Sequence, residues 1–217
     1  MKNRMIDSFN TTNSNIADRL FHKYFSTLKK NNSNCKPSFI MFIGVPGVGK
    51  TTISKIFETN YSFKSIATDE IKYNLQQMGI EYTIEDLFDI QKLMFMKLAE
   101  YRVNIISDSN SAKNWQREIL INFCKRYRYI FKIVYLTCER EILNKRLFIR
   151  KINYLPKRNY VSSDKLNYYI NEIEIPNSCS LTIDTGKTSL KQIRDIVDKF
   201  IDREGITYEQ KTNGSSK

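Results

Sequence analysis

The chain has 217 residues, 41% of them hydrophobic, with a formal charge of +12, one histidine and four cysteines. That length suits one well-filled α/β domain with short extensions, and no apolar run reaches the length of a membrane span. His22 stands alone, which argues against histidine acid–base chemistry. Cys35, Cys124, Cys138 and Cys179 form no C-x-x-C pair, so zinc and a disulfide framework are not expected and a reducing cytoplasm fits. The positive charge suits polyanionic partners, or equally lysines spread over solvated faces.

Residues 1–14 are polar and expected to be loose. From 15 to 30, Ile16, Leu20, Tyr24, Phe25 and Leu28 recur at helical spacing, predicting an amphipathic helix in an N-terminal extension, 1–37. Strand patterns follow at 38–43, 63–67, 103–107, 131–136 and 180–184. Helical patterns lie at 51–57, 69–77, 84–101, 114–125, 139–151, 163–173 and 189–201. Alternation of this kind predicts a three-layer α/β/α sandwich around a mostly parallel five-stranded sheet, with one domain over 38–204. Residues 205–217 read as a disordered tail, beginning after the last helix and ending in Asn213-Gly214-Ser215-Ser216.

The first strand pattern runs into Gly44-Val45-Pro46-Gly47-Val48-Gly49-Lys50-Thr51, a complete G-x-x-x-x-G-K-[ST] loop, with Thr52 opening a helical run. Its glycines let backbone N–H groups turn inward around phosphate oxygens, and the helix N-terminus adds its own. In that context Lys50 would reach the β- and γ-phosphates of a nucleoside triphosphate and the Thr51 hydroxyl would hold Mg²⁺.

In open sheets ligands bind beyond the carboxyl ends of strands. Asp69, just after the second strand, would accept or orient the proton of a substrate hydroxyl, or it caps the helix that follows. Lys72, one turn on, would contact an anionic substrate, or is one more solvated lysine. Asp108 closes the third strand near Mg²⁺ or the substrate, or merely forms a turn. Ser109, not Glu, comes next, which favours transfer to a bound acceptor over motor-type hydrolysis. No N-K-x-D element is present, which argues against a GTPase. Arg146 and Arg150, four apart in a basic helix, would close over the triphosphate as a lid around 139–162, or belong to a solvated face. Basic residues from Lys125 to Lys165, interleaved with Tyr127, Tyr129, Tyr154 and Tyr160, would suit single-stranded nucleic acid.

These elements in this order resemble the P-loop kinase superfamily, whose fold is of the P-loop NTPase, nucleoside-kinase-like type. Within it they resemble the 5′-hydroxyl polynucleotide kinase-like group, over about 39–201. The residues that carry the resemblance are Gly44–Thr51, Thr68-Asp69-Glu70 with Lys72, Ile105 to Asn110, and Arg146 with Arg150. It implies an ATP- and Mg²⁺-dependent phosphotransferase with Lys50 and Asp69 catalytic, Asp69 as the base. Arg150 would stabilise the transition state, with Arg146 beside it. Lys72 would contact the acceptor's phosphate and Asp108 would position substrate; the group usually has Arg where Lys72 stands. Ser180 to Gly186 resembles the adenine-side loop of adenylylsulfate and related small-molecule kinases, so Asp184, Thr185 and Gly186 would border the base. The acceptor is a nucleic-acid 5′ end or a small molecule such as a nucleoside, sugar nucleotide or antibiotic; a non-enzymatic nucleotide-binding module is the third possibility.

Overall fold

The computed structural model describes residues 10–32, 34–109, 113–153 and 161–208. The first apolar run is β1 (Ser38–Ile43), buried at every position. A parallel strand covered on both faces reads as a continuous apolar run, not as an alternation. β2 (Lys64–Ala67), β3 (Ile105–Asp108), β4 (Ile130–Thr137) and β5 (Leu181–Asp184) join it in the order β2-β3-β1-β4-β5. Every pairing is parallel, and the register sets Phe39 against both Ile105 and Phe131, and Ala67 against Asp108. β3 and β4 flank β1 on opposite sides, so the chain leaving β1 stands where the connections change direction, the usual place for a ligand.

The chain forms two compact units, Met1–Asn32 with Thr68–Arg102, and Ser33–Ala67 with Val103–Lys217. The second unit holds the sheet with α2 (Lys50–Tyr61), α5 (Asn114–Tyr127), α6 (Arg140–Asn153), α7 (Ser163–Glu172) and α8 (Leu190–Arg203). On one face Ile40, Phe42, Ile106 and Val134 pack with Phe57 of α2 and Val197 and Phe200 of α8. Phe57 lies 6.1 Å from Phe42 and 6.3 Å from Phe200. On the other face Phe39 meets Phe123 of α5 at 5.6 Å. Alternate residues of β1 thus serve opposite layers, and each buried ring contributes about 2 to 3 kcal/mol. The unit is the expected three-layer α/β/α sandwich.

The first unit holds α1 (Thr11–Phe25), α3 (Thr68–Gln77) and α4 (Ile84–Glu100). Ile16, Ala17, Leu20 and Phe21 form the buried stripe of α1, at the i, i+1, i+4, i+5 spacing of one helical face. The Asn13 amide donates to Asp86 at 2.9 Å, and Asp18 pairs with Lys97 of α4.

Three expectations change. The first helix runs from Thr11 to Phe25, not 15 to 30, because the Asn10 side chain caps it by accepting from Thr12 N at 3.0 Å. Leu28 lies past its end and Tyr24 is partly exposed. The segment from 205 is no disordered tail over its described part: Ile206 is buried, Asn104 donates to the Thr207 carbonyl at 2.7 Å, and the Tyr208 ring sits 4.9 Å from Tyr61. The third strand starts at Ile105, since the buried Asn104 side chain accepts from Ser38 N at 2.8 Å and closes the sheet edge where strands begin.

Candidate active site

The loop between β1 and α2 turns through Gly49, which caps α2 with φ +105° and so adopts a backbone that side chains resist. A Cβ on Gly44 would lie 2.8 Å from Val48 Cγ1 and 2.9 Å from the Leu136 carbonyl oxygen, so the loop has no room for a side chain there. Lys50, first residue of α2, is buried. Its ammonium donates to the Gly44 carbonyl at 2.7 Å and to that of Val45 at 3.2 Å. The charge is therefore held across the loop, at the helix end whose unpaired N–H groups favour anions.

Thr51 and Asp108, distant in sequence, meet: the Thr51 hydroxyl donates to Asp108 Oδ2 at 2.9 Å. Asp108 is nearly buried at the end of β3, and β3 lies next to β1, which delivers Thr51. A hydroxyl and a carboxylate in contact form a hard-oxygen donor pair of the kind Mg²⁺ takes when phosphate and water complete its shell. Glycine cradle, lysine and donor pair together fit a magnesium–triphosphate complex.

On the other side of the loop Thr185 is almost fully buried and joins three elements. Its backbone N–H donates to Thr137 O at 2.9 Å and its hydroxyl to Val48 O at 2.7 Å. Arg146 of α6 donates from Nη1 to the Thr185 hydroxyl at 2.9 Å and from Nη2 to the Thr185 carbonyl at 2.7 Å, with Gly47 O 3.5 Å from Nη1. Leu147 approaches Gly47, and Leu143 lies beside it. Asp184 accepts from the backbone N–H of Gly186 at 2.9 Å and of Lys187 at 3.3 Å, which shapes the turn after β5. Ile142 and Cys138 crowd the inner side of Gly186.

Of the residues singled out in the sequence, Gly44 to Thr52, Asp108, Asp184, Thr185, Gly186 and Arg146 lie in one unit, around the ends of β1, β3, β4 and β5. Arg146 is not a free cation there: its guanidinium is committed to Thr185 and the loop. Arg150, one turn further along α6, is exposed. Asp69 and Lys72 belong to the other unit, on the first turns of α3, paired to each other at 3.7 Å with Asp69 largely exposed.

Among the described residues the basic stretch is not one surface. Lys125, Arg126 and Arg128 sit where α5 leads into the start of β4, at the opposite end of the strands from the phosphate loop. Lys132 is paired with Glu204, and Arg140 donates to Asn167. Tyr154, Lys157, Arg158 and Tyr160 lie outside the described residues.

The link from Val48 through Thr185 to Arg146 is absent from the sequence reading. Only the i, i+4 pair Leu143 and Leu147, with Arg146 between them, signals that this part of α6 faces the loop.

Fold and site define a nucleotide-binding domain of P-loop kinase type. The AAA domain family matches residues 39–175, and this chain belongs to that family. A probable gluconokinase of Schizosaccharomyces pombe is 25% identical over 174 residues, 73% of this chain and 87% of that protein. The APS kinase of Mycobacterium tuberculosis, solved with AMPPNP and APS, is similar with a TM-score of 0.55 and 13% identity, covering 77% of this chain and 98% of its own. A gluconokinase from Sinorhizobium meliloti is similar with a TM-score of 0.55 and 19% identity, over 77% and 94% of the two chains.

Proposed function

We propose that this chain is an ATP- and Mg²⁺-dependent kinase that phosphorylates a hydroxyl of a small anionic acceptor. The contact of Thr51 with Asp108 beside the buried Lys50 carries the reading, because it assembles phosphate and metal ligands from separate segments. Lys50 would neutralise the β- and γ-phosphates, while the loop N–H groups fix them. Thr51 and Asp108 would hold Mg²⁺, which when bound screens charge on the transferring group. Asp69, two residues past the end of β2, would take the acceptor hydroxyl's proton, and Lys72 would meet the acceptor's negative charge.

A small acceptor is favoured by the relatives, which include gluconokinases and an APS kinase. Among the described residues the basic side chains lie at both ends of the strands, which weighs against a nucleic-acid groove. ATP labelled in its γ-phosphate tests the reading when it is offered with D-gluconate, adenylylsulfate and a 5′-hydroxyl oligonucleotide. Label on a small anion, lowered about 10²-fold or more by Asp69→Asn, supports it. Label on the oligonucleotide alone would move the acceptor to nucleic acid. No transfer, with AMPPNP still bound, would leave a nucleotide-binding module without this chemistry.

A further inference from the structure

Helix α1 ends well before residue 39, where the family match begins, so the shared kinase domain does not account for it. Its last turn nevertheless makes a specific polar contact with α3. Asn74 of α3 is only 4% exposed, and all three of its contacts are short. Its Nδ2 donates to the Tyr24 hydroxyl at 2.6 Å and to the Glu70 carbonyl at 2.6 Å, while its Oδ1 accepts from Lys23 Nζ at 2.7 Å. Glu70 is the neighbour of Asp69 and stands one turn before Asn74. The amide therefore joins the end of α1 to the turn of α3 that carries Asp69 and Lys72.

Apolar packing alone does not require this arrangement. Ile16, Ala17, Leu20 and Phe21 already supply α1 with a buried stripe, and an apolar residue at 74 would extend it. A buried carboxamide instead needs its donors and acceptor met, and it accepts one geometry where apolar contacts accept several. The partners sit at 23 and 24, beyond the buried stripe, and Tyr24 remains 38% exposed.

We propose that α1 is a clamp on the acceptor helix, with Asn74 as a positioning residue and Lys23 and Tyr24 as its jaws. The clamp fixes the turn of α3 bearing Asp69 and Lys72, and its kinetic effect rests on the assignment of those two residues to the acceptor. Small misplacements matter there, since about 1 Å of error in a reacting group can cost on the order of 10²-fold in rate.

The test uses the full chain with Lys23→Met and Tyr24→Phe combined, which remove the polar contacts and keep most of the packing. Hydrogen exchange without acceptor reads the clamp directly. Amides of 70–74 should exchange about tenfold faster or more, with amides of α2 unchanged and AMPPNP affinity within about twofold. Unchanged exchange over 70–74, or an equal rise throughout the chain, would overturn the proposal. Transfer to D-gluconate should lose about tenfold or more in kcat/KM for the acceptor, with KM for ATP unmoved. Lys97→Met, which breaks the pair between Asp18 and α4 instead, should leave transfer near wild type. Equal losses in both variants would reduce α1 to a structural support. Full transfer in Asp69→Asn would overturn the Asp69 assignment, while the exchange result would still judge the clamp.

Discussion

The Thr51 hydroxyl donates to the Asp108 carboxylate at 2.9 Å, tying the first turn of α2 to the last residue of β3. The contact is possible because β1 and β3 are parallel neighbours, so both strands end on the same side of the sheet. One residue is part of the phosphate loop. The other is a carboxylate at the end of the neighbouring strand.

Asp108→Asn preserves shape and removes the charge. A metal ligand lost from a hard-oxygen site should raise the Mg²⁺ concentration for half-maximal ATP turnover by about tenfold or more. The check is a magnesium titration of turnover at saturating ATP. An unchanged titration would return Asp108 to the role of a partner for Thr51.

Arg146 and Arg150 should behave differently despite their shared helix. Arg146→Ala removes the donors that Thr185 and the loop now receive, so the KM for ATP should rise and the thermal midpoint should fall. If Arg150 is the lid arginine the sequence suggests, Arg150→Ala should lower kcat by about tenfold or more with little change in midpoint, because such a group acts when charge develops on the phosphoryl group. Equal effects on KM and midpoint in both variants would contradict the distinction.

Asp86 offers a pH test of the first unit. The Asn13 amide and then the N–H and hydroxyl of Thr83 hold its carboxyl below the usual aspartate range. A depressed value in the folded state adds stability above the unfolded value, near 3.9, and that stability is lost as pH falls through the folded value. Thermal midpoints should therefore drop below about pH 4, and Asn13→Ala should flatten part of that drop. A midpoint independent of pH over that window would contradict the assignment.

Much of this was legible in the sequence because it rests on local pattern. The phosphate loop follows a run of five apolar residues, Phe39 to Ile43, and β3 ends in Asp108. Both signals survive without knowledge of packing. The strand and helix order followed from alternating periodicities that the sheet and its covering helices enforce. The link between Arg146 and Thr185 was not legible, since the Leu143 and Leu147 pair marks an inward face of α6 but does not name Thr185 as the partner. The start of α1 was missed because Asn10, a polar residue in a polar stretch, acts only through its cap. The reading of residues 205–208 as loose failed for a related reason. Their anchors are Asn104 and Tyr61, about a hundred residues or more away in the chain, and composition carries no trace of such partners.

The central claim is that this loop binds a magnesium–triphosphate complex through Lys50. Calorimetric titration of AMPPNP into the wild-type chain and into Lys50→Ala, each with and without Mg²⁺, tests it most directly. The wild type should bind saturably and more tightly with Mg²⁺, and Lys50→Ala should lose about tenfold or more in affinity, with the thermal midpoint of the free chain little changed. Equal affinity in the two chains would contradict it.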